Sequence, residues 1–182
     1  RTRNARLAAI RSLFRFAALR HPEHAALIAR VLAIPTKRCE RAVVSFLNDS
    51  EGDALVASPD RDTWWGRRDH AILAVALQTG LRASELTGLR NQDVELRTGA
   101  NLRCWCKGRK QRATPLRPRT VSVLRRWINE CGGRPEDPLF PTRRGTPLSR
   151  DALGALVTKH ATVAAQHESS LASKTVTPHV LR

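Results

Sequence analysis

At 182 residues, 41% of them hydrophobic, the chain is long enough to bury a sizeable core with part of a neighbouring domain. No apolar run approaches the roughly 20 residues of a membrane-spanning helix, and the opening RTRNARLAAIR lacks the short apolar core of a secretory leader. The 32 Lys and Arg against 16 Asp and Glu give a formal net charge of +16, which implies a polyanionic partner. Nucleic acid ranks ahead of a membrane surface, because the basic residues are spread along the chain and not gathered beside an apolar anchor.

Leu7, Ile10, Leu13, Phe14 and Ala17 recur at three- and four-residue spacing between Asn4 and Leu19, which predicts an amphipathic helix with Arg6, Arg11 and Arg15 on its other face. A shorter helix is expected over Glu23 to Leu32. The stretch from Ile34 to Glu40 holds Pro35, Lys37 and Arg38 without a clean period and reads as a linker. The expected domains are therefore 1–34 and 35–182.

Asn48 or Asp49 suits a helix cap. Gly66 to Thr79 shows a broad apolar face ending at Gly80, a residue fitted to the left-handed position that closes a helix. Another helix is expected from Ala83. Between Asp93 and Leu116 short apolar runs alternate with turn residues (Thr98, Gly99, Gly108), predicting an antiparallel sheet of about three strands. Helical period returns over Arg119 to Asn129 and from Ser149 to about Gln166. Thr177 and Pro178 fit the cap and first position of a further helix, expected to be cut off one turn in.

The fold class is mainly α with a small antiparallel β-sheet. Cys39, Cys104, Cys106 and Cys131 complete no tetrahedral metal site and read as ordinary thiols of a cytoplasmic protein. The chain contains neither Met nor Tyr and is expected to be a fragment at both ends.

Three clusters carry candidate chemistry. In QTGLRASELTGL, Arg82 follows the Gly80 break, and Glu85 three residues on can reach the same face and hold the guanidinium. In LRCWCKGRKQRATPL, Lys107 and Gly108 sit at a hairpin turn ringed by Arg109, Lys110 and Arg112. That hairpin either grips phosphates without specificity or presents one lysine as a proton donor. In PHVLR, His179 and Arg182 are three apart and can present an imidazole and a planar fork to one phosphate.

In this order the clusters resemble the tyrosine recombinase (phage integrase) family, from about Pro35 to Arg182. The resemblance is carried by GRRDHAILAVALQTGLRASELTGLRNQDVEL, the lysine-bearing hairpin with its Thr114-Pro115-Leu116 exit, and TPHVLR. It implies a catalytic domain preceded by the end of a helical, SAM-like core-binding domain. It also implies cleavage and rejoining of double-stranded DNA through a 3′-phosphotyrosyl intermediate, without metal or nucleotide cofactor.

Residue by residue, the resemblance makes Arg82 and Arg182 the phosphate-holding arginines, Lys107 the general acid (with Lys110 as its rival), His179 a phosphate-positioning or proton-transferring group, and Glu85 the support of Arg82. Arg109, Lys110, Arg112, Lys37 and Arg38 are candidate DNA contacts. The family's nucleophilic tyrosine is expected downstream of Arg182, so these 182 residues are expected to bind DNA without cutting it. The full-length parent is expected to act as a homotetramer at the nucleoid. A non-catalytic DNA-binding regulator and a type IB topoisomerase are the rival readings. A helix-turn-helix factor explains the charge but not the ordered arginine, lysine and histidine positions.

Overall fold

A computed structural model describes residues 2–37, 46–106 and 110–181, with the side chains of Cys106 and Lys110 outside that description. The chain divides into two compact units, residues 1–43 and 44–182.

In the first unit the periodic apolar residues form α1 (Thr2–Ala18), followed by a 3₁₀ turn (Pro22–His24) and α2 (Ala25–Leu32). Leu7 and Ile28 are buried. Ile10, Leu13, Phe16 and Leu27 stay exposed within the unit. The Asn4 amide exchanges two hydrogen bonds with the main chain of Lys37 (2.8 and 2.9 Å), and Arg11 donates to the Ile34 carbonyl, so the stretch after α2 is fastened to α1.

The second unit opens with α3 (Asp49–Ala57), capped by Asn48, whose side chain accepts from Glu51 N–H while the Glu51 carboxylate accepts from Asn48 N–H. This reciprocal pair satisfies two otherwise orphaned donors. The long α4 (Trp64–Thr79) starts two residues before the expected Gly66, because Thr63 supplies the cap. Its residues Ala71, Ile72, Leu73, Val75 and Ala76 are buried nearly all round, which makes it the central rod of the unit. It packs against α3 and against α6 (Pro118–Cys131), while α7 (Arg150–Ala164) packs against α3 and α5 (Ala83–Thr87).

The expected sheet forms from β1 (Val94–Glu95), β2 (Asn101–Cys106) and β3 (Lys110–Pro115), antiparallel in the order β1-β2-β3. Leu102 and Cys104 turn into the core on β2, and Arg103 and Trp105 face out. The fold class is as expected. No helix among the described residues is long and apolar enough to cross a membrane.

Residues 178–181 form a single turn that starts at the expected cap, with Val180 N–H donating to Thr177 O at 2.9 Å.

A buried polar network joins three parts of the core. Asp69 accepts from Arg68 Nη2 (2.7 Å) and Nε (3.0 Å), and its other oxygen lies 3.1 Å from His160 Nε2 on α7. Arg68 Nη1 also donates to the Pro141 carbonyl (3.2 Å).

The first turn of α4 is a tight crossing. A Cβ built on Gly66 would lie 1.7 Å from the Asp60 carbonyl oxygen, so backbone and not a flexible side chain would have to move. Gly66→Ala is expected to destabilise the unit by about 3 kcal/mol. Urea unfolding checks this as a lowered midpoint with unchanged slope. An unchanged midpoint would show that the 58–63 loop yields freely.

Candidate phosphate-binding site

Helix α4 ends where the sequence places its stop: Gly80 adopts φ 59°, ψ 31° and its N–H closes on Ala76 O. The reversal buries Leu81 and leaves Arg82 extended (φ −67°, ψ 153°) as the residue before α5. Glu85 then grips Arg82 twice. One carboxylate oxygen accepts the Arg82 main-chain N–H at 2.8 Å, the other the Nη1 at 2.9 Å.

Glu85 is almost fully covered, whereas half of the Arg82 side chain is exposed. At that exposure the pair contributes little to stability. Its consequence is orientation: guanidinium donors beyond the Nη1 bond to Glu85 are left to meet an anion. Burial alone would raise the Glu85 carboxyl. The Arg82 main-chain bond, the Arg82 guanidinium bond and charge, and the charge of Arg112 outweigh it and hold the pKa below the ordinary range.

Arg112 lies on the core-facing side of β3, opposite Cys104. Its Nη2 donates to the Thr79 carbonyl (3.0 Å), one of the last carbonyls of α4, and its Nε to Thr114 Oγ1 (3.2 Å). Arg112, a candidate DNA contact, is exposed, and these two bonds also brace the hairpin against the end of α4 beside Glu85. Gln78 adds a second tie, donating to Pro115 O (2.9 Å) and accepting from Arg117 N–H (3.2 Å). Lys110 begins β3 opposite Cys106. Lys107, Arg109, Arg182 and Arg38 lie outside the described residues. Lys37 is exposed in the first unit.

His179 is exposed in the turn at 178–181, between the buried anchors Val176 and Leu181. Val180 and Leu181 line the same cleft as Leu77 and Gln78. The turn therefore reaches the end of α4 from which Arg82 departs.

A group that sequence reasoning missed holds the approach to this turn. Lys174 Nζ lies 2.7 Å from both oxygens of Glu51 and donates to the Phe46 carbonyl at 3.0 Å, and Ser170 Oγ donates to Glu51 at 2.7 Å. Glu51 has no accessible surface. The Lys174 hydrogen bond above all, then those from Ser170 and Asn48, overcome the penalty of burial and lower its pKa to about 2. The only signal in the sequence was an Asn-x-x-Glu cap, which says nothing about a lysine 123 residues away.

The pattern of the Phage integrase family matches residues 45–182. Over all 182 residues the chain is 52% identical to a putative integrase/recombinase, y4rC, of Sinorhizobium fredii, of which it covers 55%. It is 38% identical over 141 residues to the tyrosine recombinase XerD of Pseudomonas aeruginosa, covering 75% of this chain and 45% of that one. The chain spans about half the length of these curated relatives. Among solved structures, XerH recombinase bound to a palindromic difH substrate superposes with a TM-score of 0.67 at 22% identity, over 82% of this chain and 44% of XerH. The Tn1549 transposon integrase, in complex with a circular intermediate DNA, gives 0.59 at 17% identity, over 85% of this chain and 54% of that one. These likenesses establish the fold, and the matched pattern covers more than half of the sequence. The chain belongs to the phage integrase family of tyrosine recombinases.

Proposed function

We propose that this chain is the phosphate-holding part of a site-specific recombinase that cuts and rejoins duplex DNA through a 3′-phosphotyrosyl intermediate. The observation that carries the reading is the half-exposed Arg82 guanidinium, held by Glu85 at the end of α4. Support also comes from the +16 charge and from the DNA complexes formed by XerH and the Tn1549 integrase.

In the proposed step a tyrosine oxygen attacks the phosphorus, the bond to the 5′-oxygen breaks, and that oxygen takes a proton from Lys107. Arg82 and Arg182 hold the non-bridging oxygens as negative charge builds, a task suited to a planar fork that stays protonated. His179 positions the phosphate or takes the proton that the tyrosine hydroxyl gives up, and that proton balances the one Lys107 donates to the 5′-oxygen. Arg109, Lys110, Arg112, Lys37 and Arg38 contact the backbone, residues before 35 belong to a core-binding domain, and the whole protein assembles as a tetramer at the nucleoid. These roles rest on the family resemblance.

The 182 residues contain no tyrosine, so the attacking hydroxyl has to come from outside them. The chain by itself is expected to bind DNA reversibly without cleaving it. A nicked suicide duplex carrying the cognate site tests this: the protein of the complete reading frame should be trapped covalently, and the 182-residue chain should give a salt-sensitive, reversible shift. Covalent trapping by the 182 residues alone would overturn the division of roles, and relaxation of supercoiled DNA without a specific site would overturn the recombinase reading.

A further inference from the structure

At the opposite end of α4 from Arg82 lies a cleft lined by Trp64, Trp65, Thr142, Arg143 and Gly145. Its two walls are fixed. On one side, Trp65 meets Trp64 edge to face with ring centroids 4.9 Å apart, and the buried Arg68 guanidinium lies 4.7 Å from the Trp65 centroid. Arg68 is buried and held by Asp69 and the Pro141 carbonyl, so it stiffens the indole while its charge is met by a carboxylate. Yet Trp65 remains 40% exposed.

On the other side, Pro141 and Pro147 pair as an isolated bridge. Thr142 N–H donates to Thr146 O at 2.7 Å and their hydroxyls meet at 2.7 Å. Gly145 turns the chain at φ 76°, and Arg143 and Arg144 project from the tip, both exposed. Through Asp69 the same network reaches His160 on α7, so three elements hold the cleft in one shape. An exposed indole beside two unburied guanidinium groups matches a sugar–phosphate chain, which is apolar at the sugar ring and anionic between sugars.

We infer that this cleft holds a second stretch of the DNA backbone, with Trp65 packed against a deoxyribose and Arg143 and Arg144 on the flanking phosphates. The inference rests on the duplex-binding reading above. Fourteen residues of α4 separate Trp65 from Thr79, a rise of about 21 Å, so the cleft is a contact separate from the one at Arg82.

The test measures affinity of the 182-residue chain for a 20-bp mixed-sequence duplex by fluorescence anisotropy over a series of salt concentrations. The doubly altered R143A/R144A chain should bind more weakly, with the slope of log affinity against log salt reduced by about two. Trp65→Leu, which keeps apolar bulk over Arg68, should weaken binding about fivefold with the slope unchanged. Arg126→Ala, an exposed change on α6, should alter neither quantity.

Unchanged affinity and slope in R143A/R144A, with binding weakened by Arg82→Ala, would overturn the cleft and leave the duplex-binding reading standing. An equal loss from Arg126→Ala would overturn the cleft by showing a diffuse basic surface. Unchanged affinity in Trp65→Leu would overturn the sugar contact. No binding by the unaltered chain would overturn both readings.

Discussion

Replacing Glu51 by alanine is expected to lower folding stability by about 3 to 5 kcal/mol at neutral pH, because it strands a partly buried ammonium that a fully buried carboxylate now neutralises. The carboxylate also receives Ser170 and the Asn48 N–H, so one deletion loosens the start of α3 and the lead-in to His179 together. Chemical denaturation measures the loss. A change below about 1 kcal/mol, the level of an exposed ion pair, would show that water replaces the carboxylate at no cost.

The pH dependence has a definite direction. Glu51 titrates near 4.5 when unfolded and near 2 when folded, so the unfolded chain binds the proton more readily. Its stabilisation is complete above about pH 4.5 and is lost as pH falls towards 2. Glu51→Gln should flatten the stability profile in that window and leave its shape above it unchanged. The comparison separates loss of charge from loss of packing.

In the complete protein, Arg82→Ala is expected to slow strand cleavage about 10²- to 10³-fold, the usual effect of removing one donor aimed at a developing oxyanion. Arg82→Lys should restore little, because a point charge cannot engage Glu85 and two phosphate oxygens in one plane. Glu85→Gln should fall between, keeping a hydrogen bond and losing the carboxylate's charge. Single-turnover cleavage of a nicked duplex under saturating protein reads the chemical step apart from binding. A rate for Arg82→Ala within about threefold of the unaltered protein would remove Arg82 from the proposed transition state.

How much of this was readable from the residues depended on the range of the interaction. Gly80 announced the end of α4 because a left-handed residue is a local requirement, and the Arg82–Glu85 clamp followed from three-residue spacing on one helical turn. The alternation around Leu102 and Cys104 likewise gave the sheet. Pairings across the chain were invisible. Nothing near Arg112 indicated that its guanidinium would also tie to the Thr79 carbonyl, and His160, which pattern alone assigns to a helix interior, meets a carboxylate 91 residues earlier. In TPHVLR, cap and proline chemistry are local too, and a turn starts at Thr177 as they require.

The Glu51–Lys174 pair bears on any attempt to build chimeras with relatives. Residues 46–51 and 170–174 share one carboxylate, so they exchange as a block. A graft that brings a neutral residue to position 51 without an apolar partner at 174 would inherit an unpaired charge beneath the turn that carries His179. Matched replacement of both is expected to be tolerated, since buried ion pairs often give way to well-packed apolar residues at little cost.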